Sequence, residues 1–223
     1  MGGHVEGRLS FLPSRRHARQ PSRGVAAVAE AAGRVLFFGR FQPFHYGHLS
    51  AVEWLLERYR EVVILVGMAD ESHTWINPFT AGERLWMIRE ALRWRGIDLS
   101  RIITATIQTL RVYSGNAGFV LGYVPPVDAV ATANPPVRRA FQDAGYKTVS
   151  PPLINKHVWC GEYIRSLMLR GSDEWRSLVP PPVAEIIDRI DGVGRVREVA
   201  EGPYRSGSSE DAKAACMKEA QQR

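Results

Sequence analysis

The sequence predicts an α/β protein of a single domain, in which helices flank an open parallel sheet. Short apolar, β-branched runs alternate with segments of helical periodicity, and this alternation is typical of parallel sheets. A chain of 223 residues with 45% hydrophobic content can bury one good core. No segment approaches the ~20 consecutive apolar residues of a membrane span. The chain is therefore expected to fold as one body without a membrane span.

The predicted strands and helices follow from local signals. The strands are the apolar runs at 35–38, 62–66, 102–107 and 129–132, and the helices are at 49–60, 81–94, 136–144, 162–169 and 183–190. In the first helix, Leu49, Val52 and Leu55 share a face. The second helix begins with a capping box of Thr80 and Glu83. Glycine ends the next two helices, and a proline run precedes the last.

Charge and composition divide the chain into three parts. We predict a basic, disordered extension at 1–33, a folded domain at 34–201 and a flexible polar tail at 202–223. Residues 1–34 contain six arginines and two glutamates, which account for +4 of the net charge of +6. The folded part is nearly neutral, which argues against a nucleic-acid-binding face. The extension resembles a transit peptide, but a disordered arm or a wrongly assigned start codon explains it equally well.

The two cysteines are too few for a disulfide scaffold in a chain of this size. They fit a reducing compartment, and we therefore expect a cytoplasmic protein.

The most informative motif follows the first predicted strand, at residues 39–48, and reads GRFQPFHYGH. It places His45, His48 and Arg40 where a buried strand passes into a helix. In open α/β folds ligands bind beyond the carboxyl ends of the strands, and a helix start adds free N–H groups and a positive dipole end. The motif therefore predicts a phosphate site. A buried histidine pair or a stray metal site is the alternative, although the HExxH pattern of zinc proteases is absent.

This decamer resembles the signature of the nucleotidyltransferase superfamily with the HxGH motif, and its GRFQP start is most similar to the archaeal type of nicotinamide mononucleotide (NMN) adenylyltransferase. Further similar segments follow in the family's order: ESHT at 71–74, NPFTAGER at 77–84, CGEYIR at 160–165, WRSLVP at 175–180 and IDGV at 190–193. The resemblance covers about residues 34–201. It implies a Rossmann-like nucleotidyltransferase fold and transfer of AMP from ATP to NMN, giving NAD⁺ and pyrophosphate in NAD biosynthesis.

Adenylyl transfer needs positioned cations and N–H donors rather than a covalent nucleophile. We predict that His45, His48 and Arg40 are catalytic. The predicted contacts to the ATP phosphates are those of Arg40, His48, Arg84, Arg165 and Gly161, the last two from the resemblance. An exposed Arg84 paired with Glu83 or Glu90 is the alternative for that residue.

The CGEYIR segment departs from the family, because Cys160 and Glu162 stand where the usual pattern has Ser and Thr. Backbone N–H groups are expected to replace the missing hydroxyl donors. A catalytic thiol at Cys160 is the other possibility.

The acceptor side is less specific. The resemblance places Phe119 where a tryptophan usually stacks on nicotinamide, and Asn134 in a GNP-like turn; a core phenylalanine and a helix cap are the alternatives. Mg²⁺ is expected to arrive with ATP, without a metal site made by the protein. The resemblance also implies a homo-oligomer.

Two other functions stay open at this point. One is a sister adenylyltransferase that uses phosphopantetheine or flavin mononucleotide as acceptor. The other is a nucleotide-sensing regulator that binds nucleic acid through the Arg-rich extension, although the two intact histidines argue against it.

Overall fold

Five parallel strands form one sheet in the computed structural model, which describes residues 32–108, 117–152 and 154–201. The strands lie in the order β3-β2-β1-β4-β5. Their bounds are Ala32–Gly39 (β1), Tyr59–Val66 (β2), Ile102–Thr106 (β3), Ala129–Ala131 (β4) and Thr148–Val149 (β5). Because β2 and β4 lie on opposite sides of β1, the chain leaves β1 and β4 in opposite directions. This leaves a crevice beyond their carboxyl ends, the usual ligand site of such sheets.

Seven α-helices connect or follow these strands within the described ranges. They are Tyr46–Leu56 (α1), Ala81–Trp94 (α2), Ala117–Leu121 (α3), Pro135–Asp143 (α4), Gly161–Leu169 (α5), Pro181–Arg189 (α6) and Gly192–Glu201 (α7). Single 3-10 helices cover Leu99–Arg101 and Asp173–Leu178. None of these helices has the length and apolar composition that a bilayer crossing requires.

The sheet buries a hydrophobic core on each face. Alternate side chains of a strand point to opposite faces, so Val35 and Phe37 join the larger core and Leu36 joins the smaller one. The larger core is closed by helices α1, α2, α5, α6 and α7. The smaller core packs under α3 and α4. The predicted fold class, an open parallel sheet with flanking helices, is therefore confirmed.

The predicted elements differ from the structure mainly at their ends. The helix at 81–94 has the predicted bounds. By contrast, α1 begins at Tyr46 and ends at Leu56, because the HxGH motif forms its first turn and β2 already begins at Tyr59. Strand β1 starts at Ala32, two residues before the predicted start of the domain. The predicted extension and tail lie almost entirely outside the described residues, so their boundaries stay a prediction.

An ion pair joins α7 to the start of α2. Thr80 and Glu83 form the predicted capping box, with bonds of 3.2 Å to the Thr80 hydroxyl and 2.8 Å to the Glu83 carboxylate. The same carboxylate accepts a bond of 2.7 Å from Arg195 of α7, and the pair is largely buried. Burial opposes ionisation of Glu83, but the bonds from Arg195 and Thr80 outweigh it and lower its pKa.

Candidate active site

The two histidines of the HxGH motif stack on each other at the start of α1. Their ring centroids lie 3.7 Å apart with planes inclined by 23°. The backbone N–H of His45 donates to Nδ1 of His48 over 3.3 Å. A nitrogen that accepts a hydrogen bond carries no proton, so the ring proton of neutral His48 is on Nε2. His48 can therefore donate a hydrogen bond from Nε2 to a ligand.

Both histidines are neutral at physiological pH. Burial lowers the pKa of His48 to about 3. The pKa of His45 is also well below its usual value, because of burial first and then the charges of His48 and Arg165. Its Nδ1 atom is buried without a hydrogen-bond partner in the structure. The pair thus offers neutral polar groups, which do not add to the positive charge described next.

Beyond the carboxyl end of β1, Arg40 lies close enough to both Arg84 and Arg165 for its charge to act on theirs. Arg40 is exposed and follows the strand directly. Burial first, and then the charge of Arg40, lowers the pKa of both Arg84 and Arg165 to about 10, while Glu83 partly opposes this for Arg84 and Glu162 for Arg165. Like charges held together in this way create a positive potential that an anion would relieve.

Arg165 lies on α5 with 4% of its surface exposed. Its Nη1 atom donates to the carbonyl oxygen of Gln42 over 2.7 Å, and its guanidinium lies 5.5 Å from the ring centroid of Trp75. Its Nε atom is buried without a partner in the described part of the chain. A buried donor without a partner costs ~1–3 kcal/mol, so Arg165 retains capacity for a further acceptor.

The donors of Arg84 are largely taken up by the protein backbone, so its predicted phosphate contact stays a prediction. The side chain is fully buried, and its guanidinium donates to four carbonyl oxygens, those of Arg40, Gly67, Met68 and Thr80, over 2.7–3.1 Å. The alternative of an exposed arginine paired with Glu83 or Glu90 is wrong, because the side chain is fully buried. In this structure Arg84 holds the loops around the arginine cluster, and the sequence contains no signal that separates this role from ligand binding.

Two glycines allow the backbone to approach the site closely. A Cβ atom on Gly47 would lie 3.1 Å from the His45 ring and 3.2 Å from Cβ of Trp159. A Cβ atom on Gly161, the first residue of α5, would lie 2.7 Å from the carbonyl oxygen of Gln42. Since that oxygen is the acceptor for Arg165, Gly161 lets α5 start directly against the loop that follows β1.

A cavity of about 320 Å³ opens between the start of α1, the end of β4 and the start of α5. Four of the predicted site residues line it: His45, His48, Asn134 and Gly161. Its walls are largely apolar, with Phe37, Phe41, Ala51, Pro151 and Trp159 among them. A mostly apolar cavity with a few convergent polar groups is the usual form of a small-ligand site. The side chain of Asn134 also caps α4, accepting from Val137 N–H over 3.2 Å.

Phe119 does not line this cavity. It lies on the short helix α3, its side chain 48% exposed, with its ring centroid 5.1 Å from that of Tyr123. The neighbouring residues 109–116 lie outside the described part, so the predicted stacking role stays a prediction. Trp159 is one of several aromatic side chains that do line the cavity, and the sequence motifs did not single it out. Its position directly before the Cys160-Gly161 pair was the available signal.

Cys160 occupies the N-cap of α5 and lines the cavity beside Gly161. The other cysteine, Cys216, lies outside the described residues, so the predicted reduced state and the alternative of a catalytic thiol both stay predictions. Among residues 32–108, 117–152 and 154–201, no group of three or more His, Cys, Asp or Glu side chains is placed to hold a metal ion.

Comparison with known proteins identifies the family. A Cytidylyltransferase-like family model matches residues 36–115. An uncharacterized protein of Archaeoglobus fulgidus is 54% identical over 167 residues, 75% of this chain and 95% of the relative. A nicotinamide-nucleotide adenylyltransferase of Ignicoccus hospitalis is 46% identical over 167 residues, 75% of this chain and 98% of the relative. The chain belongs to the nicotinamide-nucleotide adenylyltransferase family.

The fold agrees with this assignment. A crystal structure of a bifunctional NMN adenylyltransferase/ADP ribose pyrophosphatase from Francisella tularensis superposes with a TM-score of 0.57 at 18% identity, covering 75% of this chain and 52% of the other. At that identity the similarity concerns the fold alone. The resemblance to nucleotidyltransferases that the HxGH motif predicts is therefore confirmed by the adenylyltransferase relatives, and the parallel sheet is the expected one.

Proposed function

We propose that the protein transfers the adenylyl group of ATP to NMN, releasing NAD⁺ and pyrophosphate. The observation that carries the proposal is the cluster of Arg40, Arg84 and Arg165 beside two neutral histidines at the crevice of the sheet. Such a cluster fits a ligand with several negative charges, and adenylyltransferase relatives match nearly their whole length. The carboxyl ends of β1 and β4 are also where a nucleotide binds in open α/β sheets.

In this reaction an oxygen of the NMN phosphate attacks the α-phosphorus of ATP, and the bond from that phosphorus to the bridging oxygen of the β-phosphate breaks. The attacking phosphate is already ionised, so no side chain has to remove a proton. The protein has to hold two anions in line and stabilise the charge of the transferring and leaving groups. His48 Nε2–H is suited to the transferring phosphate, and Arg40 and Arg165 are suited to the leaving pyrophosphate.

His45 and Gly161 complete the proposed phosphate site. His45 orients His48 through its backbone N–H. Gly161 begins α5, and the N–H groups of a helix start, which have no acceptor within the helix, together with the helix dipole favour an anion there. Mg²⁺ belongs to the substrate in this proposal, because it accompanies the ATP phosphates.

Several finer assignments remain predictions within the proposal. Asn134 and Phe119 are proposed contacts of NMN, and only Asn134 reaches the cavity. The homo-oligomeric state and the cytoplasmic location remain predictions as well. Size-exclusion chromatography with light scattering measures the first, and tagging of the protein in its host measures the second.

The test is an acceptor panel with the purified protein, ATP and Mg²⁺. NMN, nicotinic acid mononucleotide, flavin mononucleotide and phosphopantetheine are supplied separately, and pyrophosphate release and the adenylylated product are measured. We expect rapid turnover with NMN and none with the last two. Turnover only with phosphopantetheine or flavin mononucleotide would replace the proposed acceptor. ATP binding without any turnover would favour a nucleotide sensor.

A further inference from the structure

We propose that Arg84 and Gln42 are positioning residues that hold Arg40 and Arg165 ready for the triphosphate without touching it. The inference rests on the proposed function, since it assigns the arginine cluster to ATP. It replaces the direct phosphate contact predicted for Arg84, and it gives Gln42 a role that no motif of the sequence suggested.

Arg84 connects three segments at one end of the sheet. Its Nη1 atom donates to the carbonyl oxygens of Arg40 and Gly67, and its Nη2 atom donates to that of Met68. The bond to Arg40 fixes the backbone of a residue whose own side chain has no hydrogen-bond or ion-pair partner among the described residues. Only the planar fork of an arginine reaches these acceptors together, because a lysine offers a single ammonium.

Gln42 makes the corresponding connection on the other side of the loop. Its side-chain amide donates to the carbonyl oxygen of Phe79 over 2.9 Å and accepts from the N–H of the same residue over 3.0 Å. Its backbone carbonyl holds Arg165 over 2.7 Å. With 3% of its surface exposed, Gln42 is fixed between the loop before α2 and the start of α5.

The buried charge of Arg84 indicates a role other than stabilising the fold. Arg84 is a buried cation whose side-chain hydrogen bonds to the described residues all end on carbonyl oxygens, and burial together with the charge of Arg40 lowers its pKa. Well-packed apolar side chains often stabilise a fold as well as a buried charge does. Burying a cation here, next to two other arginines, costs desolvation free energy. What the fold gains is a positive site of fixed geometry. Preorganised charge of this kind is what a transferring phosphate requires.

The chain offers a matched control at the opposite end of the sheet. Arg101 likewise donates to three backbone carbonyl oxygens, those of Leu56, Tyr59 and Arg60, over 2.7–2.9 Å. It lies at the start of β3, away from the cavity. Replacement of Arg101 by lysine therefore removes the same type of bonds from the fold without reaching the site.

The experiment compares Arg84→Lys and Gln42→Met with Arg101→Lys in the full-length protein. Melting temperature, kcat and KM for ATP, and calorimetric affinity for inorganic tripolyphosphate are measured for each. We expect similar melting temperatures in the three variants. Tripolyphosphate affinity should fall about 10-fold and kcat about 10–100-fold in the first two only, because displacements near 1 Å can cost ~10²-fold in rate. The double variant Gln42→Met/Arg165→Lys should be no worse than Arg165→Lys alone.

Three results would overturn the proposal. The first is wild-type tripolyphosphate affinity in both site variants. The second is a loss of affinity and kcat in Arg101→Lys that is as large as in the site variants at the same drop in melting temperature. The third is that the effects of Gln42→Met and Arg165→Lys add up in the double variant. If Arg84→Lys does not fold, the result for Gln42→Met alone decides whether the proposal stands. A wild-type protein that binds tripolyphosphate but forms no NAD⁺ would contradict the proposed function, while the tripolyphosphate comparison would still test Arg84 and Gln42.

Discussion

Replacement of Gly161 by alanine is expected to damage the site more than the fold. The added Cβ would lie 2.7 Å from the carbonyl oxygen of Gln42, whereas ordinary contacts begin at 3.4 Å. The start of α5 or the loop after β1 must therefore move by about 0.7 Å. Since that carbonyl oxygen belongs to the backbone, a side-chain rotation cannot relieve the contact. The same oxygen holds Arg165, so the displacement reaches the phosphate site directly.

The size of the effect follows from this displacement. Overpacking of this kind lowers the free energy of unfolding by ~1–3 kcal/mol, which corresponds to a fall of about 2–12 °C in melting temperature for a domain of this size. If ~1 Å of misplacement costs ~10²-fold in rate, kcat should fall by more than about 10-fold. Steady-state kinetics with ATP and NMN well below the melting temperature measures the loss.

Gly82 provides the control for this variant. It lies in the first turn of α2, and a Cβ atom there would have no neighbour within 4 Å. Gly82→Ala should therefore retain wild-type kinetics and gain up to ~1 kcal/mol of stability from helix propensity. Wild-type kcat in Gly161→Ala, with the melting temperature lowered as expected, would refute the link between this backbone contact and the phosphate site.

The remaining predictions concern the histidines, the cavity wall and the N-terminal extension. His48→Ala should lower kcat by ~10²–10³-fold with an unchanged circular dichroism spectrum, because a donor to the transferring phosphate is lost; near-normal turnover would contradict its role. Because the pKa of His48 is about 3 when folded and 6.5 when exposed, the unfolded chain binds more protons between these values. The free energy of unfolding should therefore fall as pH drops below about 6.5, by up to ~1.4 kcal/mol per unit for this residue, and His48→Gln should flatten the slope in urea titrations. Trp159→Ala should raise KM for at least one nucleotide substrate more than Trp54→Ala, which lies outside the cavity lining; equal KM values in the two variants would remove Trp159 from the binding site. Deletion of residues 1–30 should leave kcat and melting temperature nearly unchanged, since β1 begins at Ala32; a clear loss of activity would assign the extension to the site.

The parts of the fold that were predictable are those encoded by local sequence. The capping box at Thr80 and the apolar spacing after it fixed both ends of α2. Strand β5 was missed because it has only two residues, and its pairing with β4 is set by the rest of the sheet. Helix α7 was missed for a similar reason: its buried positions are defined by packing against α5 and α6, and two glycines weaken its intrinsic propensity.

The site was predictable as a set of residues but not as a set of roles. The HxGH motif identified the histidines, because a strand-to-helix turn is a local pattern. The difference between Arg40, which is exposed, and Arg84, which is fully buried, depends on which carbonyl groups the folded loops present. That information comes from contacts between residues far apart in the chain. The amide of Gln42 is a further example, since its partner Phe79 lies 37 positions away.

The ion pair between Glu83 and Arg195 determines when the phosphate site can form during synthesis of the chain. Glu83 caps α2 and directly precedes Arg84, which holds the loops of the site. Its largely buried partner, Arg195, lies only six residues before the end of the described chain. During synthesis the HxGH loop and α2 leave the ribosome long before α7 does. A nascent chain stopped before Arg195 should therefore have the sheet but an incompletely fixed phosphate site. Ligand binding should begin only when α7 has packed and Arg195 has paired with Glu83.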